Sequence, residues 1–375
     1  MSIELPLVHP RAPSPAPAPR HGRLQDIRRR LMHWLVERVL PPGAQDVGAG
    51  RLPAVGIQRI LVTRPNHRLG NAVLMTPLVA ALEAQYPGAE IDVLGAGAAT
   101  AQVFSGYGAI GRVHLIHQRA LCHPVGTFKV LRAIRGRSYD LVIDAATGSS
   151  SGRIVATLAR ARFRLRASAP GALVPPHLAA RPVHALRWAL GGVLDAPLPP
   201  LDLQMSDDER RAGRQALERV LAAGPRSDAR VLAIFPNATG RKRFGTAWWK
   251  QFLEALTAQL GPMRVVELIA ADGKSRVDDQ YPAYFTSDIR KLAAFIEAAG
   301  TYVSADCGVM HLAAATRAAT VGLFSTTDPK RYAPYGEANA GISPADGDPL
   351  VAARRVADHL RRVWHDGAHV TNALP

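Results

Sequence analysis

A chain of 375 residues, 47% apolar and 20% charged, is long enough for two domains of ordinary size, each with its own core. Its 46 Lys and Arg against 30 Asp and Glu leave a formal charge of +16, which favours nucleic acid, anionic lipid or a phosphorylated substrate as partner. No aromatic-rich basic motif accompanies that charge, so nucleic acid is set aside; the only two cysteines, Cys122 and Cys307, lack metal-ligand spacing and argue against a disulfide framework.

No run approaches the roughly 20 apolar residues that span a bilayer, and no apolar leader core follows the first charges. The expected location is the cytoplasm. Residues 1–21 are rich in Pro and Ala and are predicted to be a disordered tail. Over 22–42, Leu24, Ile27, Leu31, Trp34 and Leu35 recur at helical spacing among Arg23, Arg28, Arg29, Arg30 and Arg38. This is a basic amphipathic helix, suited either to an anionic membrane surface or to packing on the protein itself.

The first domain is placed at 57–200. It opens with a strand at Arg59 to Thr63, a loop through Arg64, His67, Arg68 and Gly70, and a helix from Asn71 to Gln85. Strands at Ile91 to Leu94, Val113 to Ile116 and Asp140 to Ile143 alternate with helical segments at Gly126 to Ile134 and Gly152 to Ala161, which implies a parallel sheet. The Gly/Ser/Thr-rich loop from Asp144 to Ser151 would open on the same edge as Arg64 to Gly70. A helix is predicted at His184 to Gly191, and the interdomain connection near Pro200.

The second domain, 201–365, begins with a helix at Ser206 to Leu221 and repeats the pattern: strands at Arg230 to Phe235, Arg264 to Ile269, Thr301 to Ser304 and Thr320 to Phe324, with helices at Thr246 to Leu260 and Pro349 to Val363. The last helix can pack back on the first domain. Three strand-end loops should meet at one edge: Pro236 to Gly245, Asp306 to His311, and Ser325 to Pro329. Thr239, Arg241, Lys242 and Arg243 on the first of these offer a hydroxyl and three cations to a diphosphate, where an isolated cluster would be a solvated patch. Asp306 and His311 flank a turn in which Gly308 permits close backbone approach; the alternative is a capped helix with a packed histidine. Cys307 beside Asp306 reads as a small buried side chain rather than a nucleophile.

Four stretches together resemble glycosyltransferase family 9, the ADP-heptose lipopolysaccharide heptosyltransferases. They are Arg68 to Pro77, Tyr86 to Leu94, Lys242-Arg243-Phe244, and Asp306 to Ala315, the last matching an Asp-Thr-Gly-x-x-His-Leu-x-Ala-Ala signature; their order covers residues 57–335. The resemblance implies the α/β GT-B fold, two Rossmann-like domains facing across a cleft. It also implies inverting, metal-independent transfer of heptose from a nucleotide sugar, ADP-heptose, to a lipid A–core acceptor, with no further cofactor. By the same resemblance Thr239, Arg241, Lys242, Arg243, Asp306, Cys307, Gly308 and His311 would hold the donor. Arg64, Arg68 and Gly70 would face the acceptor, and the protein would sit peripherally on the inner face of the cytoplasmic membrane.

The chain also departs from the pattern. The family's general base is an Asp where this chain has Asn71, and a neutral amide cannot take the acceptor's proton; His67 or Asp144 would have to substitute, or the protein is a nucleotide-sugar-binding pseudoenzyme. Cys307 replaces a Thr. The loop Ala270 to Lys274 lacks the Gly-rich, Glu-containing pattern expected beside the nucleoside.

Overall fold

The computed structural model describes residues 46–117, 123–146, 150–167, 174–222, 227–344 and 347–371. The predicted tail and basic helix, Cys122, and the tip of the loop after Asp144 lie outside the described residues.

The first half is a five-stranded parallel sheet of β1 (Arg59–Thr63), β2 (Glu90–Ala96), β3 (Ile110–Ile116), β4 (Ser138–Asp144) and β5 (Arg160–Arg166), in the order β3-β2-β1-β4-β5. The central strands β1, β2 and β4 are buried on both faces because helices cover both sides of the sheet. On one side α1 (Leu69–Val73), α2 (Thr76–Gln85), α3 (Ala98–Phe104) and α6 (Ala180–Leu190) enclose Ile60, Val62, Ile91 and Val93 with Leu78, Leu82, Val183 and Leu186. On the other, α4 (Pro124–Arg135) and α5 (Ser150–Leu158) close over Leu61, Leu94, Ile116 and Val142.

Two local readings are corrected here. The helix expected from Asn71 to Gln85 is two, broken at Leu74 and Met75, because Pro77 sits in the first turn of α2 and lacks the N–H that would continue the ladder; the Thr76 hydroxyl donates to the Val73 carbonyl at 2.9 Å instead. The helix expected to run to Ala161 stops at Leu158, and β5 follows. Its sequence Arg-Ala-Arg-Phe-Arg-Leu-Arg alternates, and the arginines on the outer register bond outward: Arg162 to Asp140 at 3.1 Å, Arg166 to Asp46 at 2.7 Å, and Arg164 to the Ala156 and Ala159 carbonyls.

The second half holds six parallel strands: β6 (Val231–Phe235), β7 (Arg264–Leu268), β8 (Ala283–Tyr284), β9 (Thr301–Ala305), β10 (Ala319–Leu323) and β11 (Ala340–Ile342), in the order β11-β10-β9-β6-β7-β8. It begins with α7 (Asp207–Leu221), whose start is fixed by a capping box between Ser206 and Glu209. The remaining helices are α8 (Thr246–Leu260), α9 (Ile289–Ala299), α10 (Gly308–Ala314), α11 (Pro329–Tyr332) and α12 (Pro349–Thr371). The sequence leaves α12 able to return to the first half. Its Ala352, Ala353, Val356, Ala357 and Leu360 instead enter the second half's core with Trp249, Phe252 and Val321.

Each sheet reverses its winding once, between β1 and β4 and between β6 and β9. At such a reversal the two loops leave in opposite directions and open a crevice at the carboxyl ends of the strands, where α/β proteins bind ligands.

Candidate functional site

At the second reversal, β6 feeds a short 3-10 turn, Gly240–Lys242, and β9 ends one residue before Asp306. Lys242 Nζ donates to Asp306 Oδ2 at 2.6 Å, and the Thr327 hydroxyl donates to the same oxygen at 2.5 Å. The carboxylate is 4% exposed, one of the few buried charges among the described residues, and it is met by a cation that is itself partly exposed. The ammonium also lies 5.8 Å from the centre of the Tyr332 ring. A lysine anchored in this way presents a positive charge to the crevice without losing its position.

His311 lies one turn into α10 and is buried. Burial holds its imidazole well below the usual range; Asp306 pulls it upward, and His177, Lys242 and Arg64 push it down. The ring is therefore neutral at neutral pH. Its Nδ1 is buried and has no hydrogen-bond partner.

At the first reversal, Arg64 is the residue after β1 and its guanidinium is buried. It donates to Asn71 Oδ1 at 2.9 Å and to the Ala145 carbonyl at 3.4 Å. Burial lowers its pKa to about 10, with Tyr332 and Asp144 opposing and Arg181 adding, so it stays charged. Asp144, the last residue of β4, is 6% exposed and accepts from the Ala146 N–H at 3.1 Å. Burial raises its carboxyl to about 6, opposed by the Ala146 N–H, Arg166, the Thr63 hydroxyl and Arg153. A Cβ on Gly152 would lie 2.8 Å from Asp144 Oδ1, so α5 can pass this close to the carboxylate only with glycine there.

The two reversals meet through α1 and α10. A Cβ on Gly70 would lie 2.5 Å from His311 Cδ2, and one on Gly308 would lie 3.2 Å from the Gly70 nitrogen. The glycines therefore let α1, which carries Asn71, touch α10, which carries His311 and follows Asp306. Nearby, the Pro-rich segment before α6 crosses to the second half: the Leu178 N–H donates to the Arg331 carbonyl at 3.2 Å, and His177 Nε2 lies 3.0 Å from the Ala333 carbonyl.

Of the residues singled out in the sequence, the structure gathers Arg64, Gly70, Asn71 and Asp144 at one reversal and Lys242, Asp306, Gly308 and His311 at the other. Thr239, Arg241 and Arg243 are exposed around the 3-10 turn, where the Arg241 carbonyl accepts from the Ser325 hydroxyl at 3.4 Å. His67 and Arg68 are exposed on the first loop, with His67 near Gly97. Cys307 is half-buried with Sγ 3.8 Å from the Ser304 hydroxyl, and burial pushes its thiol up, which keeps it protonated. Thr327, Tyr332 and His177 were not singled out. Thr327 lies in a strand-end loop the sequence does mark, whereas His177 falls among prolines where periodicity fades.

Among the described residues no group of His, Cys, Asp or Glu side chains is placed to hold a metal ion, and no helix is long and apolar enough to cross a membrane. The sequence profile of glycosyltransferase family 9 (heptosyltransferase) matches residues 127–349, more than half of the chain. No curated protein sequence matches it. Among solved structures it is similar to a glycosyl transferase family 9 protein from Veillonella parvula DSM 2008, at 18% identity and a TM-score of 0.64 over 79% of this chain and 88% of that one. It is also similar to E. coli heptosyltransferase WaaC with ADP, at 17% and 0.62 over 81% and 99%, and to E. coli ADP-heptose lps heptosyltransferase II, at 18% and 0.62 over 82% and 100%. At these identities the likeness is one of fold, and the fold is GT-B.

Proposed function

The chain belongs to glycosyltransferase family 9, the heptosyltransferases, and from that premise we propose that it moves a sugar, heptose in the first instance, from a nucleotide-sugar donor to a lipopolysaccharide core acceptor, with inversion and without a metal. The observation that carries the reading is the Lys242–Asp306 pair at the second reversal, in contact through Gly70 and Gly308 with the reversal that holds Arg64 and Asp144. Lys242, with Arg241 and Arg243 beside it, supplies positive charge for a departing diphosphate. Thr239 and His311, whose buried Nδ1 lacks a partner, would hydrogen-bond donor phosphate or sugar. The similarity to WaaC, solved with ADP, makes ADP-heptose the first donor to test.

Transfer requires a proton acceptor. In the proposed step the acceptor hydroxyl oxygen forms a bond to the anomeric carbon on the face opposite the diphosphate. The bond from that carbon to the phosphate oxygen breaks, the nucleoside diphosphate leaves with the electron pair, and the hydroxyl proton passes to a carboxylate. Asn71 cannot be that acceptor, since it is an amide already bonded to Arg64. Asp144 suits the role: its pKa of about 6 leaves it ionised at neutral pH yet far more basic than an ordinary aspartate. Arg64 and Arg68 would face an anionic acceptor at the inner face of the cytoplasmic membrane.

The amide at position 71 favours a second reading, a pseudoenzyme that binds nucleotide sugar without turnover. Calorimetry with ADP-heptose, followed by release of ADP in the presence of a lipid A–core acceptor, separates the two. Binding with release supports the transferase, binding without release supports the pseudoenzyme, and no binding of any nucleotide sugar defeats both.

A further inference from the structure

The helix α4 leaves one face without a partner. Only Ile134 of its residues is fully buried, with Val130 and Leu131 partly covered by the same core. On the opposite stripe Val125 is 68% and Phe128 65% exposed, spaced one turn apart, and the stripe continues through Lys129, Arg132 and Arg135. There is no Asp or Glu in α4, and among the described residues Lys129, Arg132 and Arg135 form no ion pair. The other large exposed apolar residues, Val55, Leu115, Val174, Val193, Phe285 and Leu350, lie far apart along the chain.

The place of the stripe narrows its use. Because α4 follows β3, its first turn lies at the carboxyl edge of the first sheet, the edge on which Arg64 and Asp144 open. A ring and a branched side chain that enter no pocket, next to three cations with no acid among them, match the boundary layer of an anionic bilayer. There the apolar groups reach the acyl margin while Lys and Arg stay among the headgroups.

We propose that this stripe of α4, Val125, Phe128, Lys129, Arg132 and Arg135, docks the protein on an anionic lipid bilayer, with the first reversal turned towards the membrane. The inference deepens the reading above by giving a lipid-borne acceptor its side of approach, and docking itself needs neither donor nor turnover. One helix with two apolar contacts supports reversible attachment.

The test uses the full chain and sedimentation with sucrose-loaded vesicles of phosphatidylcholine and phosphatidylglycerol, free of any acceptor. The paired variant Val125→Ser with Phe128→Ser, and separately Lys129→Gln with Arg132→Gln, are compared with the parent. Each pair is also made on a background of Arg28→Ala, Arg29→Ala and Arg30→Ala, so that the basic segment cannot mask the effect. The charge pair is expected to lower the partition coefficient by about fivefold per cation removed, and the apolar pair by at least about fivefold, with thermal melts unchanged because the positions are exposed. Partition unchanged for both pairs on both backgrounds, or equally strong on pure phosphatidylcholine, overturns the proposal. As a second readout, Phe128→Trp should add blue-shifted emission when anionic vesicles are present; an unshifted signal counts against insertion. Since no donor is present, loss of sugar transfer in a separate assay bears on the transferase reading and leaves this result standing.

Discussion

Two carboxylates are buried in the first sheet and are treated in opposite ways. Asp92, third residue of β2 and 1% exposed, is surrounded: the Tyr139 hydroxyl donates to it at 2.8 Å, His114 Nε2 lies 3.4 Å away, and Arg137 donates at 3.4 Å. Burial would raise its pKa, yet the bonds from His114 and Tyr139 and the Arg137 charge outweigh it and hold the carboxyl below its ordinary value. Asp144, at the carboxyl end of β4 in the same sheet, accepts from the Ala146 N–H at 3.1 Å, and burial outweighs that bond together with Arg166, the Thr63 hydroxyl and Arg153, so its pKa rises to about 6. A fully partnered carboxylate stabilises the fold. One left wanting a proton is suited to chemistry, and it sits at the winding reversal where a ligand would enter.

The comparison can be broken most sharply at Asp144. Asp144→Asn keeps the shape and removes the base, and turnover of ADP-heptose should fall by roughly 10² to 10⁴. Stability should move the other way. Because the folded pKa lies above the unfolded one, the native state holds its proton more tightly; the stability this gives is full below about pH 4 and is lost as the pH rises through about 6. The variant escapes that loss, so relative to the parent it should gain up to about 3 kcal/mol between pH 4 and pH 8 in urea titrations. Turnover left intact removes Asp144 as the base.

Asp92→Asn should show the reverse, a loss of about 1–3 kcal/mol in the same titration with turnover per folded molecule retained, since a charge and its bonds to Arg137 and His114 are weakened within the body of the sheet. A tenfold fall in turnover at full stability would erase the distinction between the two carboxylates. Asp306 stands between these cases, buried yet joined to a partly exposed cation. Lys242→Ala should weaken ADP-heptose binding by at least about tenfold in calorimetry, the smallest loss expected from removing a charged contact to a phosphate; unchanged affinity removes Lys242 from the donor site. The smallest effect is expected from Asn71→Asp. If Asp144 already accepts the proton, a second carboxylate beside Arg64 should change turnover by less than about tenfold. A rise of a hundredfold or so would return the base to position 71.

Much of this arrangement is legible in the sequence where local chemistry and long-range packing agree. The strand Arg59–Thr63 and the helix Thr246–Leu260 have the bounds the pattern predicts, since an apolar run closed by a loop and a helix begun after glycine leave few alternatives. The strand β5 was hidden because four arginines in seven residues carry little β preference of their own; what makes it a strand is Asp140, Asp46 and the end of α5, all distant in sequence or invisible until the sheet forms. α9 was hidden too, although Asp288 caps it by accepting from the Arg290 and Lys291 N–H groups. The loops around Lys242 and Asp306 could be read as converging because each follows an apolar strand. That Asp144 rather than His67 is the poised group could not be read, because the difference lies in burial: His67 is exposed, and the low-dielectric setting of Asp144 is built by α5 and β1.

The contact between Gly70 and Gly308 has a mechanical meaning. Two missing methyl groups set the distance between the halves of the molecule at the point where donor and acceptor must meet. A single Cβ at position 70 would be a wedge driven against the His311 ring, and the mouth of the crevice would stand open by the thickness of that wedge. Reaction needs the attacking oxygen within about 3–3.5 Å of carbon. The chain thus sets its working gap as a machinist does with a shim, here by leaving the shim out.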